Sequence, residues 1–278
     1  MSRILDRVPR ILKVTTRNAS FQQWLALLTN RAKRHRAGEF LVQGVRPITL
    51  AVAHGWTVRT LLLPEGRALS GWAGDLLDRV DVTRVAMAPE LLHELGGKAD
   101  EPPELLAVVA LPPDRLDRIP TGPDALVVVF DRPSTPGNIG TLVRSADAFG
   151  AAGVIVTGHA ADPYDPKAVR ASTGSLFAVP VVRVASPAEV LEWAPPEAEL
   201  LGTDEHGDVD LADHDLTGAK LLLIGNETHG LSGAWRQACH RMLRIPMAGA
   251  ASSLNAAAAG TIVLYEAARQ RRARRPMP

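Results

Sequence analysis

The sequence predicts an α/β protein in two parts, a small α/β/α sandwich followed by a larger unit built on a parallel sheet. Three observations carry this expectation. Short apolar runs rich in Val, Leu and Ile recur along the chain and alternate with helix-length stretches. After residue 125 these runs are apolar at consecutive positions, the pattern of strands covered on both faces. Between the two parts Pro112, Pro113, Pro120, Gly122 and Pro123 crowd into one segment that reads as a linker. The expected organisation is a basic extension over 1–17, a small domain over 18–111, a linker over 112–123 and a large domain over 124–278.

In the small domain the runs at 39–43, 57–63, 83–87 and 105–111 predict strands, and 21–30, 47–54 and 70–79 predict helices. In the large domain strands are expected at 126–130, 153–157, 179–184, 199–203, 220–225 and 242–246, with helices in the gaps. A final helix is expected over 254–271, led by the alanines 256–259.

Composition narrows the function. Hydrophobic residues at 46% and charged residues at 22% describe a folded globular chain, and no apolar run approaches the ~18 residues of a membrane helix. The first residues carry Arg3, Arg7, Arg10 and Lys13 with no apolar stretch, which excludes a secretory signal at this end. Cys239 is the single cysteine, so no intrachain disulfide forms and a reducing cytoplasm is expected. The eight histidines form no metal-ligand spacing, and no metal is expected. The formal net charge is +1, but residues 1–36 hold nine Lys/Arg against Asp6 alone, and Arg269, Arg271, Arg272, Arg274 and Arg275 end the chain. Basic ends on an acidic middle suit a polyanion such as RNA. Aromatic residues make up only 4%, so shape and phosphate recognition is expected over base stacking.

Three polar loops fall at the C-terminal ends of expected strands, where open α/β sheets bind ligands. The first is Asp131-Arg132-Pro133-Ser134-Thr135-Pro136-Gly137-Asn138-Ile139-Gly140, which opens a helix carrying Arg144. By itself Asn138 reads as a helix cap and Arg144 as a surface residue. The second is Ile224-Gly225-Asn226-Glu227-Thr228-His229-Gly230-Leu231-Ser232. Its glycine spacing imitates a nucleoside-triphosphate loop, but Leu231 stands where that loop needs lysine, and no G-x-G-x-x-G dinucleotide fingerprint is present. The third is Ile245-Pro246-Met247 followed by Gly249, Ser252, Ser253, Leu254 and Asn255. Small residues there let backbone lie against a flat ligand, and Ser253 and Asn255 read equally well as caps.

In this order the three loops resemble the SpoU (TrmH-type) branch of the knotted RNA ribose methyltransferases, the SPOUT class, over about 126–271. That resemblance implies a parallel sheet closed by a deep trefoil knot, S-adenosylmethionine as cofactor and a homodimer. It implies backbone contacts to the cofactor at Gly225, Ile245 and Leu254, with Thr203, Ile224, Asn226, Gly230, Met247 and Ser253 lining the same pocket. It nominates Arg144 as the catalytic arginine, with Asn138, Glu227, Ser253 and Asn255 about it. The basic stretch Asn30-Arg31-Ala32-Lys33-Arg34-His35-Arg36 and the residues through Arg46 resemble the family's L30e-like RNA-binding module, with Gln43 where glutamate is usual. Arg31, Lys33, Arg34, Arg36, Arg46 and, beside Ser172-Thr173-Gly174, Arg170 are the implied RNA contacts. A closer likeness, through Arg17-Asn18-Ala19-Ser20 and Gly202-Thr203-Asp204-Glu205-His206-Gly207, is to the subgroup that methylates a uridine of 23S ribosomal RNA and protects producers against avilamycin. Transfer RNA as substrate, and a non-catalytic RNA-binding or ribosome-assembly role, are the readings set against it.

Overall fold

The computed structural model describes residues 11–97 and 103–274, so Arg3, Arg7, Arg10 and Arg275 of the basic ends lie outside the described residues. The chain divides into two compact units, before and after the Pro112–Pro113 junction.

In the first unit the order is β1 (Ile11–Val14), α1 (Ala19–Thr29), α2 (Arg31–Ala37), β2 (Glu39–Gln43), α3 (Val45–Ala53), β3 (Val58–Pro64), α4 (Gly71–Arg79), β4 (Thr83–Met87), α5 (Pro89–Leu95) and β5 (Leu106–Ala110). The five strands form a mixed sheet in the order β1-β4-β3-β5-β2. Leu41, Leu62, Val85, Leu106 and Val108 pack with Phe21 and Leu27 of α1 and Leu91, Leu92 and Leu95 of α5. Phe40 and Val42 alternate with Leu41 and are buried on the other face, where Trp56, just after α3, meets Phe40 edge-on. A tie from Trp72 of α4 to Thr49 of α3 places α4 on that face too. The expected sandwich is what forms. Ile11–Val14, expected in the basic extension, instead pairs in parallel with β4 as an edge strand.

Asn30 punctuates α1 and α2. Its amide ends the first helix on Ala26, and its side chain caps the second at the Lys33 amide. The α2 helix therefore starts afresh, and its basic residues divide between two roles. Arg31, Lys33 and Arg36 are exposed, as is Arg46 at the start of α3. Arg34, expected on the RNA surface, is instead 2% exposed and donates through Nη1 to the Leu27 carbonyl at 2.8 Å. A buried guanidinium whose partner is a helix carbonyl cannot also meet phosphate, so Arg34 is a strut between α1 and α2. Arg34→Ala is expected to cost about 2 kcal/mol in urea denaturation, because the buried carbonyl loses a charged donor. Lys33→Ala should stay within about 0.5 kcal/mol.

In the second unit the order is β6 (Leu126–Asp131), α6 (Pro136–Ala148), β7 (Gly153–Thr157), α7 (Pro166–Ser172), α8 (Ser175–Ala178), β8 (Val181–Val184), α9 (Pro187–Trp193), β9 (Glu199–Thr203), β10 (Val209–Asp210), β11 (Lys220–Ile224), α10 (Gly233–Ala238), β12 (Arg241–Arg244) and α11 (Ala256–Arg274). Seven strands run in the order β10-β12-β9-β11-β6-β7-β8, and every pairing is parallel. Both faces are covered, as the continuous apolar runs require. Val127, Val129, Ile155, Leu221 and Leu223 meet Val190 of α9 and Trp235 of α10. The alternate residues meet α6 and α11: a side chain on Gly260 would strike Leu142 and crowd Ile224. Arg271 of α11 donates to the carbonyls of Leu216, Gly218 and Asp124, fastening the last turns of the helix to the sheet's lower end.

The proline-rich segment expected as a linker is seated in this unit. Ile119 is 2% exposed and fills the space beside Gly153, while Arg118 donates to the Val181 carbonyl.

Candidate active site

The sheet delivers the three polar loops to one end. β6 and β11 are neighbours, and β9 and β12 follow, so the loops leaving their C-terminal ends emerge side by side. No strand of this sheet runs against the others, so backbone amides and helix starts gather at that end and side-chain ligands are not needed to make it polar.

A buried carboxylate anchors the arrangement. Asp131, 2% exposed at the end of β6, accepts from the Ser232 amide at 2.7 Å and from the Thr157 hydroxyl at 3.2 Å. The next residue, Arg132, has φ 51°, one of two non-glycine residues in the left-handed region among those described. Such a conformation costs on the order of 1–3 kcal/mol and persists where neighbours over-determine it. Here the Arg132 carbonyl accepts from Asn226 Nδ2 at 2.6 Å, and its Nη2 donates to the Gly230 carbonyl at 3.2 Å.

Two glycines close the second loop. Asn226 and Gly230 exchange backbone hydrogen bonds at 3.0 Å each way. Gly230 has φ +61°, and a Cβ on Gly225 would collide with the Gly230 and Leu231 backbone. The loop is thus a folded-over turn with no room for a side chain at Gly225 and a left-handed backbone at Gly230, which explains the glycines better than a phosphate loop does.

Glu227 then joins the first loop to the second, and Asn138 joins the third. Glu227 Oε2 accepts from the Ser134 amide and hydroxyl, both at 2.9 Å. Its Oε1 accepts from the Thr135 amide at 3.2 Å and Asn138 Nδ2 at 2.9 Å. Asn138 Oδ1 in turn accepts from Asn255 Nδ2 at 3.1 Å. Asn255 Oδ1 caps α11 at the amides of Ala257 and Ala258, so one side chain serves both roles weighed for it. The capping role weighed for Asn138 does not hold: it lies inside α6, with Thr135 at the cap position, and its amide is spent on Glu227.

Burial alone would raise the Glu227 pKa, but the donors from Ser134 and Asn138 outweigh it and hold the carboxyl below the usual carboxylate value. A depressed folded-state pKa means stability that is present above the unfolded value and lost as pH falls through the folded one. Wild-type protein should therefore shed this contribution on acidification below about pH 4.5, the unperturbed value. Glu227→Gln should lack that acid-sensitive part in denaturation curves taken across the range, and its turnover should fall at least about tenfold, since an amide NH2 cannot accept these donors.

Beside this network lies a cleft of about 430 Å³, the size range of small-molecule sites. Thr203, Ile224, Gly225, Asn226, Gly230, Ile245, Met247, Ser253 and Leu254 all line it, so the nine residues expected at a cofactor pocket are brought to one cavity. Thr203 is oriented by donating to the Leu223 carbonyl at 3.1 Å. The wall also includes Asp204, Glu205 and Arg236, none of which was expected at the pocket, with Asp204 and Arg236 ion-paired. Arg144 is exposed on α6, six residues beyond Asn138, and Arg170 is exposed on α7. The two helices pack closely, since Gly140 of α6 has no room for a side chain against Ala168 and Ala171 of α7. Among the described residues, no three His, Cys, Asp or Glu side chains converge to hold a metal ion.

Residues 125–265 match the SpoU rRNA methylase family, and residues 18–107 match the SpoU L30e-like domain. The chain belongs to the SpoU rRNA methylase family. This SpoU methylase is 62% identical over 272 residues to the 23S rRNA (uridine(2479)-2′-O)-methyltransferase of Streptomyces viridochromogenes, covering 96% of this chain and 95% of that one. Its fold is similar to the crystal structure of the SpoU methyltransferase AviRb from Streptomyces viridochromogenes in complex with AdoMet, with TM-score 0.89 and 62% identity over 93% of this chain and 100% of that one. The AdoMet-bound rRNA methyltransferase from Sinorhizobium meliloti is also similar, with TM-score 0.84 at 29% identity over 93% of this SpoU methylase and 98% of that chain.

Proposed function

We propose that this protein transfers the methyl group of S-adenosylmethionine to a ribose 2′-hydroxyl of RNA, a uridine of 23S ribosomal RNA. The observation that carries the reading is the hydrogen-bonded chain Glu227–Asn138–Asn255, which locks three loops around a cleft lined by the expected cofactor residues.

The cleft suits the cofactor. Gly225 and Gly230 both line it, and the turn they close presents backbone to the ligand in place of side chains. Three carboxylates, Asp204, Glu205 and Glu227, line it against the single arginine Arg236, a balance that favours a ligand bearing sulfonium and ammonium charges. When bound, the cofactor supplies an already activated methyl group. What the chain must add is alignment of the ribose oxygen, which is worth several kcal/mol of barrier, and stabilisation of charge developing on it.

Backbone at Gly225, Ile245 and Leu254 holds the cofactor in this reading. Arg144 grips the phosphate beside the target ribose and stabilises the negative charge that develops on the 2′-oxygen. Its guanidinium, with an intrinsic pKa above about 12, is unsuited to act as a base. Asn138, Glu227, Ser253 and Asn255 position the hydroxyl and the start of the helix that carries Arg144. Glu227 is held ionised by its donors and spends its lone pairs on them, so it acts as scaffold and not as the proton acceptor. Arg31, Lys33, Arg36 and Arg46 of the first unit, and Arg170 of the second, contact RNA phosphates.

The finer assignments follow the same reading. The chain closes a trefoil knot at the cleft, where the loop before α11 passes the second loop. It works as a cytoplasmic homodimer, supported by Ile262 and Tyr265, which are 37% and 49% exposed on α11, with Tyr265 edge-on to Phe149. Protection against a ribosome-directed antibiotic is the proposed benefit. Comparing 2′-O-methylation maps of ribosomal RNA with and without the gene tests the substrate. One uridine of 23S ribosomal RNA should lose its mark, and a change confined to a transfer RNA position would reassign the substrate.

A further inference from the structure

Arg132 belongs to neither the cofactor residues nor the RNA-facing residues described above, yet both loops depend on it. Its backbone amide donates to the Thr157 carbonyl at 3.0 Å, which ties it to the end of β7. Its carbonyl takes the Asn226 side-chain amide at 2.6 Å. Its guanidinium reaches in two directions, from Nε to Asp131 Oδ2 at 3.1 Å and from Nη2 to the Gly230 carbonyl at 3.2 Å. The Gly230 carbonyl is also what the Asn226 amide bonds, and the Gly230 backbone is what Gly225 faces at touching distance. Gly158 leaves room for the stem, since a Cβ there would lie 2.8 Å from Arg132 Cγ.

This is an unusual place for arginine. A left-handed turn at the end of a strand favours glycine, and φ 51° at a long side chain is disfavoured unless that side chain does something a glycine cannot. What it does here is bridge a buried carboxylate to the carbonyl that shapes one wall of the cleft.

We infer that Arg132 is a positioning residue for cofactor binding: its guanidinium sets the Gly230 carbonyl, and through it the Gly225–Asn226 wall, against the fixed charge of Asp131. The inference rests on the assignment of the cleft to S-adenosylmethionine. It goes beyond it by placing part of the affinity in a residue that does not line the cleft.

The test separates positioning from ordinary stabilisation with three variants of the full chain. Arg132→Gly relieves the backbone strain while cutting the tie, so its thermal midpoint should stay near wild type while the S-adenosylmethionine Kd rises about tenfold by calorimetry. Arg132→Lys, which can reach the carbonyl or the carboxylate but not both, should fall between. Arg132→Ala keeps the strain and loses the tie, and should lose both midpoint and affinity. In steady state the loss in Arg132→Gly should appear in KM for the cofactor, with kcat at saturation within about threefold of wild type. Wild-type affinity in Arg132→Gly, or affinities that merely track the midpoints across the series, would overturn the inference while the functional reading stands. A wild-type protein that gives no heat with S-adenosylmethionine would take both down.

Discussion

Arg144→Ala should lower kcat by about a thousandfold, roughly 4 kcal/mol of barrier, while the Kd for S-adenosylmethionine changes by less than about threefold. The side chain is exposed on α6 and has no hydrogen-bond or ion-pair partner among the described residues, so the fold does not use it. The thermal midpoint should accordingly match wild type. Such a split, with turnover lost while stability and cofactor affinity are kept, is what a group reserved for the RNA predicts. Arg144→Lys is the sharper variant. If the guanidinium grips phosphate through two parallel hydrogen bonds, a point charge on a flexible stem should recover less than about a tenth of the activity. Single-turnover methylation assays at saturating cofactor would read this directly, and near-wild-type turnover in the lysine variant would remove the bidentate role.

The second large effect is expected at Gly225. Adding one methyl group forces the turn open, because the new carbon has nowhere to go but the Gly230–Leu231 backbone. Backbone cannot rotate aside as a side chain would, so Gly225→Ala should weaken S-adenosylmethionine binding at least about a hundredfold, near 2.7 kcal/mol, and lower the thermal midpoint by several degrees. Gly233→Ala is the matched control. Its Cβ meets nothing within 4 Å at the start of α10, and alanine there should be neutral or slightly stabilising. Calorimetry and thermal denaturation of the pair separate a lost cleft from a merely tolerated methyl group.

The sequence carried the strands well where burial on both faces made the apolar runs continuous. The ranges 39–43, 83–87, 153–157 and 199–203 coincide with β2, β4, β7 and β9. It carried them poorly at the edges. β1 is only four residues long, has three of them exposed and includes Lys13, so its short apolar run does not stand out beside Arg3, Arg7 and Arg10. β10 is two residues long and exists only because β12 lies beside it. In the proline-rich stretch the burial of Ile119 was not legible for a related reason, since it depends on the missing side chain of Gly153, thirty-four positions away and silent in any local pattern.

For the site, the order of the three loops carried the resemblance to the SpoU family, and that resemblance is what nominated the nine cleft residues; singly, the turn glycines and small residues announce only a close backbone approach. Polarity misled at Arg34, where four basic residues on one short helix look alike and only the seven-residue spacing to Leu27 marks the one that turns inward. In the sequence Asp131 and Arg132 look like the start of a loop. The available signal was an acid closing an uninterrupted apolar strand, a position where an unpaired carboxylate would be too costly to bury.

The order of strands in the second sheet has a consequence for how the protein comes into being. β11 stands between β9 and β6, and it is translated after all but one of the other strands. Until residues 220–224 leave the ribosome, the β6-β7-β8 half and the β9 edge have no common partner. The cleft further needs the loop before α11, which is later still. Partial chains therefore hold apolar strand edges without a ligand-binding surface, and assembly is dominated by contacts distant in sequence, the regime of slow folding. Synthesis must pass residue 255 before this enzyme has anywhere to put its methyl donor.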